Sequence, residues 1–94
     1  SHPFPYNNEW KGLVRTLEST LLLHEHEPRT LAKLDRFLHD QTGGMIGALS
    51  HLIRGAAIDA ILDGTEKITQ RGLKAIPLDV AAQSSQPLAT RNGR

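Results

Sequence analysis

Between Ile46 and Ile61 the chain places apolar residues at Ile46, Leu49, Leu52, Ile53, Ala56, Ala57, Ala60 and Ile61. That spacing is the period of a helix, and it covers so wide an arc that a single neighbour cannot bury it. Three of these residues are alanines, so another helix can come close. Asp63-Gly64 supplies a stop. Such a helix belongs at the centre of a bundle, touched on several sides, and the rest of the chain has to furnish its neighbours.

The flanking sequence carries the same period. Trp10, Leu13, Val14, Leu17 and Leu21 predict a first helix over 8–23, capped by Asn7 or Asn8, with Glu9 at the positive end of the dipole. Pro28 suits a first turn, and Leu31, Leu34, Phe37 and Leu38 predict a second helix over 28–41 that halts at Gly43-Gly44. The central helix starts near Gly44 or Met45. Ile68, Leu73 and Ile76 anchor a shorter fourth segment, capped by Thr65 or Thr69 and ended or kinked by Pro77. Residues 1–7, "SHPFPYN", read as an extended N-terminal segment packed through Phe4 and Tyr6, because proline biases its predecessor toward extended backbone. Residues 83–94 hold almost nothing to bury and read as a disordered tail. No stretch alternates with the period of a strand. The expected fold is all-α, a small bundle of about four helices spanning 8–82.

Composition sets the outer limits. With 94 residues, 38% of them apolar and 22% charged, the chain makes one small domain of ordinary globular character. Its aromatics are Phe4, Tyr6, Trp10 and Phe37, so the core must come from Leu, Ile, Val and Ala. Burial at this size is modest, which makes stability marginal or borrowed from neighbours. A net charge of +1 neither demands nor excludes nucleic acid. The absence of cysteine removes disulfides and thiolate metal sites and fits a reducing, cytoplasmic setting. No apolar run approaches the ~20 residues of a membrane span, so no membrane partner is expected. No signal peptide is visible. The start at Ser1-His2 reads as a cloning remnant on a piece of a longer protein.

"QTGGMIGALS", residues 41–50, holds three glycines in five positions. A dinucleotide site wants G-x-G-x-x-G after a strand, and a phosphate loop wants G-x-x-x-x-G-K-[ST]. The spacing here is G-G-x-x-G, behind a helix. Gly43-Gly44 is better explained as the end of one helix and the start of the next, with a residue at positive φ. Gly47 falls inside the central helix, where glycine costs ~1 kcal/mol against alanine. With Gly55 it leaves bare patches that suit close helix packing first and ligand contact second.

No catalytic constellation emerges. "HEHE" at 24–27 lacks the H-E-x-x-H spacing that puts two imidazoles on one helix face, and it reads as a solvated turn between helices rather than a metal site. Ser50 and His51 are adjacent on a helix and point ~100° apart, so they form no dyad. Asp59 and Asp63 read as surface charges. The chain is expected to be non-catalytic by itself.

One run, "TGGMIGALSHLIRGAAIDAILDGTEKIT", resembles the small helical lid domain of AAA+ ATPases, most closely the TniB-like ATP-binding proteins of transposition systems. The shared pattern is Thr42-Gly43-Gly44, then Ile46-Gly47 with Leu49 and Leu52, then Ala56-Ala57 with Ala60-Ile61, then Gly64 with Ile68-Thr69. It extends loosely over residues 10–80. The resemblance implies a C-terminal lid that caps ATP or GTP held with Mg²⁺ by a separate N-terminal core. It further implies subunit assembly of the parent protein, with transposase and DNA as possible partners. Thr42, Gly43, Gly44, Ile46, Gly47 and Arg54 would then face the nucleotide. The place where many such lids carry a phosphate-reaching arginine falls at or near Gly47. Arg54 follows seven residues on, ~10 Å of helix rise, so backbone and shape are expected to do the sensing. No cofactor is expected in this chain itself.

Two other classes compete. A DNA-binding helical domain would use the fourth segment, through Lys67, Gln70, Arg71 and Lys74, since the central helix is too apolar for a recognition helix. A protein-interaction module would use the small-residue helix faces.

Overall fold

The computed structural model describes residues 2–78. Among these it is all-helical, with α1 at Asn8–Ser19, α2 at Thr30–Lys33, α3 at Asp35–Thr42, α4 at Ile46–Leu62 and α5 at Gln70–Lys74. The expected end of the domain at 82 and the expected disordered tail at 83–94 lie outside the described residues.

Asn7 caps α1, its side chain accepting from the Glu9 and Trp10 amides. The helix ends at Ser19, four residues short of the expected 23. Ser19 and Thr20 explain this: their hydroxyls donate to the Thr16 and Leu17 carbonyls, and such local back-bonding competes with helix propagation. Leu21 and Leu23 still pack on the core from the following loop.

The expected second helix is two, broken at Leu34 (φ −102°, ψ 16°). No proline or glycine causes the break. α1 grips both sides of it: the Glu18 carboxylate accepts from the Leu31 and Ala32 amides, and the Trp10 indole donates to the Asp35 carbonyl at 2.8 Å. Both holds sit within one helical turn of the break.

Gly43, at φ 64°, closes α3, its amide donating to the His39 carbonyl. The chain then turns through 115° into α4. α4 is stopped by Asp63 and by Gly64 at φ 82°. Thr69, not Thr65, caps α5, accepting from the Gly72 amide at 3.0 Å.

α1 packs on α2 and α3, and α4 packs on α3 and α5. The core they enclose is Trp10, Val14, Leu31, Leu38, Leu49, Leu52, Ile53, Ala56, Ile68 and Leu73. Each large aliphatic side chain buried there contributes ~1.5–3 kcal/mol. Gly55 makes room for the chain after α5: a Cβ there would lie 3.1 Å from Ile76. No single helix among the described residues is long and apolar enough to cross a membrane.

Candidate functional site

The double-glycine turn is closed over by the chain's own N-terminal segment. The Phe4 amide donates to the Gly44 carbonyl at 2.8 Å, and His39 Nε2 donates to the Phe4 carbonyl at 2.7 Å. Phe4 packs against Trp10, which also meets His39 edge-on at 5.0 Å. Gly44 sits at φ 79°, and a Cβ on it would collide with the Phe4 carbonyl oxygen. Gly44 is therefore glycine for two reasons, one conformational and one steric. The other end of the segment is pinned by Tyr6, whose hydroxyl donates to Asp35 Oδ1 at 2.7 Å. The Arg36 guanidinium and Lys11 ammonium lie over its ring at 4.9 and 5.1 Å.

That anchor has a pH signature. The hydrogen bond to Asp35, then burial, raises the Tyr6 phenol above its ordinary value, because ionisation would remove the donated proton. Its contribution is present below the usual phenol range and is lost as pH rises through the raised value. Chemical-shift titration of the Tyr6 ring should show this upward displacement, and Asp35→Asn should shrink it. The Asp63 carboxylate moves the opposite way. The Thr65 amide, then its hydroxyl, both donating to Oδ1, hold it below the usual range, so that turn weakens as pH falls through the lowered value.

The candidate nucleotide-facing residues divide into three settings. Thr42 is fully buried; its hydroxyl donates to the Leu38 carbonyl and accepts from the Gly44 amide. Gly44 is covered by Phe4. Gly43 and Ile46 are exposed and Gly47 half-exposed, at the start of an α4 that has no side-chain cap. Arg54 lies two turns further on, exposed, lining a groove with Leu17, Leu22, Ile53, Ala57 and Ile61. Gly43, Ile46 and Gly47 thus lie at the turn from α3 into α4, and Arg54 is set apart from them along α4.

The DNA candidates gather around α5, a helix of five residues. Lys67, Gln70, Arg71 and Lys74 are all exposed. Lys74 leans over the Phe37 ring at 6.0 Å, and Lys67 lines a shallow cleft with Asp59 and Asp63.

The expectation of a solvated "HEHE" turn is corrected at one residue. His24, Glu25 and Glu27 are exposed, but the His26 side chain is 5% exposed and faces Glu18, itself 8% exposed. Glu18 Oε2 lies 2.7 Å from His26 Nε2 and accepts from the Leu31 amide at 2.8 Å, while Oε1 accepts from the Ala32 amide at 3.0 Å. The Ile68 amide donates to His26 Nδ1 at 3.1 Å. An amide can only donate, so Nδ1 is an acceptor and Nε2 carries the proton given to Glu18. Both imidazole nitrogens and both carboxylate oxygens are engaged, so the pair ties α1, α2 and the segment before α5 together and offers no free base. Beside it lies a cavity of about 360 Å³, walled by Arg15, Leu21, Leu23, Pro28, Arg29 and Ala32.

The groove beside α4 has a volume of about 400 Å³. Large apolar side chains stand at or near its rim and along the outer face of α4: Leu22 is 91% exposed, Ile46 44%, Ile58 48%, Ile61 56% and Leu62 80%. Single exposed apolar residues are ordinary, but several along one helix face mark a contact surface.

Comparison with known protein families, with curated proteins and with solved structures gave no match in any of the three.

Proposed function

We propose that this chain is an accessory helical domain that seats on a larger body, in the manner of the C-terminal lid of a TniB-like AAA+ protein. It would cap ATP or GTP, aid subunit assembly and act in DNA transposition in the cytoplasm. The observation that carries this reading is the outward face of α4, where Ile46 beside the half-exposed Gly47 at its start, and Ile58, Ile61 and Leu62 towards its end, are exposed. A central helix that is apolar all round needs cover on every side, and the other helices among the described residues leave this side open. The uncapped start of α4 also favours a neighbouring negative charge.

The residues at that end fit a shape-based role. Gly43, Ile46 and Gly47 carry no charge, so the phosphates and Mg²⁺ would be held by the core, where the nucleotide supplies the hydrolysed phosphate bond. This chain's share would be to close an apolar, low-relief surface over the site and exclude water. Transposase and DNA would engage the assembled parent.

The test joins the chain to its ATPase core in one polypeptide. Residues 2–78 should tighten ATP binding roughly tenfold over the core alone, an ordinary coupling between two sites, and Gly47→Trp should remove that gain with helical content unchanged. Equal nucleotide affinity with and without the chain rules the reading out. The alternative is a helical module that binds DNA or protein without nucleotide. For DNA its mark is steep salt dependence: affinity for a duplex should fall tenfold or more, roughly, from low to moderate salt, and Arg71→Ala with Lys74→Ala should flatten that slope.

A further inference from the structure

The groove between α4 and the loop after α1 has a particular chemistry. Leucines at 17 and 21–23 with Ile53, Ala57 and Ile61 wall it beside Thr20 and Ser50, and Arg54 is the one charged group among the described lining residues. No ion pair involving Arg54 occurs among the described residues. The apolar walls need an apolar occupant, and the guanidinium needs an anion as soon as that occupant excludes water from it.

A second copy of this chain is a poor occupant. α4 runs for 17 residues from Ile46 to Leu62, so Arg54 is its midpoint, with eight residues on each side. Two copies pairing antiparallel through this face would set Arg54 against its own equivalent on the two-fold axis, and like charges brought together in an interface oppose association. No sheet edge exists among the described residues, so strand addition is not open either. A groove between a helix and a loop with apolar walls is what an amphipathic helix fills, through anchors at i, i+3, i+4 and i+7.

We infer that the groove is a docking site for an amphipathic helix of a partner protein that carries one carboxylate beside its apolar face, and that Arg54 selects it by pairing with that carboxylate. Leu22 and Ile61 close over the partner's anchors from the two walls. The groove shares Ile61 with the face proposed to seat on a core, but docking here requires no core, no ATP and no contact at Gly43 or Gly47.

The test uses the full 94-residue chain and two synthetic amphipathic helical peptides that differ only in one central residue flanking the apolar face, Glu or Lys. Binding is followed by amide and methyl chemical shifts. The Glu peptide should move Leu17, Leu22, Ser50, Arg54, Ala57 and Ile61, and should bind roughly three- to tenfold tighter than the Lys peptide at low salt, the range set by exposed and partly desolvated charge pairs. Arg54→Glu, a surface change that keeps the helical content, should invert the preference. Leu22→Asp should weaken both peptides. Equal affinities that the charge swap does not alter, shifts confined to another face, or no binding of either peptide would each overturn the proposal. So would concentration-dependent shifts of the same residues without peptide, which would mark a face that pairs copies of this chain.

Discussion

Gly44→Ala should destabilise the domain by about 3 kcal/mol or more, while Gly43→Ala should cost only about 1 kcal/mol. Both glycines hold positive φ, 64° and 79°, and an L-residue in that region costs ~1–2 kcal/mol. Conformation alone predicts similar losses. The difference lies in what each Cβ would meet. Gly43 is exposed. At Gly44 the Phe4 carbonyl and amide and the His39 imidazole fill the space, so the methyl group must displace the N-terminal segment. That breaks the hydrogen bonds Phe4–Gly44 and His39–Phe4, each worth ~0.5–1.5 kcal/mol, and uncovers part of Trp10. At ~4–8 °C per kcal/mol for a domain of this size, the melting temperature should fall by about 12 °C or more. The decisive comparison is a cycle with a chain lacking residues 1–6. In that background the Gly44→Ala penalty should shrink to the Gly43→Ala value, because neighbouring changes that share a contact are not additive. An unchanged penalty would show that the N-terminal segment has nothing to do with Gly44.

Local rules made most of the fold legible. Asn7 as a cap, the Gly43-Gly44 stop, the span of α4 and the Asp63-Gly64 terminus depend on neighbours within a turn, and each can be read from a few letters. The errors fall where side-chain hydrogen bonds, local or distant, override the apolar spacing. The end of α1 at Ser19 is a contest between hydroxyls and helix propagation that periodicity cannot see, since Leu21 keeps the helical spacing after the helix has stopped. The break at Leu34 lies between hydrogen bonds made by Glu18 and Trp10 of another helix. The purpose of Gly44 was readable only in outline. Another stretch of backbone does come close to it, but that stretch is Phe4 of the same chain, forty residues earlier.

The candidate site was legible to a smaller degree. Of the residues from Thr42 to Gly47 expected to face a nucleotide, Gly43 and Ile46 are exposed and Gly47 half-exposed, while Thr42 and Gly44 serve internal packing. Arg54 was placed among the nucleotide-facing residues, yet its surroundings are the apolar groove, formed partly by Leu22 and Leu23 from a loop whose path periodicity does not specify. His26 was missed because its partners are Glu18, eight residues back, and the Ile68 amide, 42 residues on. Two histidines alternating with two glutamates look uniformly polar in sequence. Only the one whose ring turns inward has a structural task. The available signal was Glu18 itself, a carboxylate at the last turn of α1, adjacent to the buried Val14 and half-buried Leu17 and at the unfavourable end of the helix dipole.

Glu18 should accordingly be the most sensitive polar position in the domain. Glu18→Ala strips the acceptor from three part-buried donors at once: His26 Nε2 and the Leu31 and Ala32 amides. A buried donor left without a partner costs ~1–3 kcal/mol, and three sharing one carboxylate should together cost about 3–5 kcal/mol, short of additivity because α2 can relax. For a domain whose whole stability is of the order of 5–15 kcal/mol, that is near the threshold of folding. Glu18→Gln separates charge from hydrogen bonding: its carbonyl oxygen still accepts, but its amino group confronts a donor, so it should lose about half as much. His26→Ala removes the acceptor of the Ile68 amide and should cost about 2 kcal/mol, with faster hydrogen exchange at Ile68 but not at Leu31 or Ala32. The reverse pattern should follow from Glu18→Ala, where the Leu31 and Ala32 amides exchange first. Urea denaturation gives the free energies and amide exchange gives the map. A loss below about 1 kcal/mol for Glu18→Ala would mean that water replaces the carboxylate freely, and that α1, α2 and the segment before α5 are held together by their apolar contacts alone.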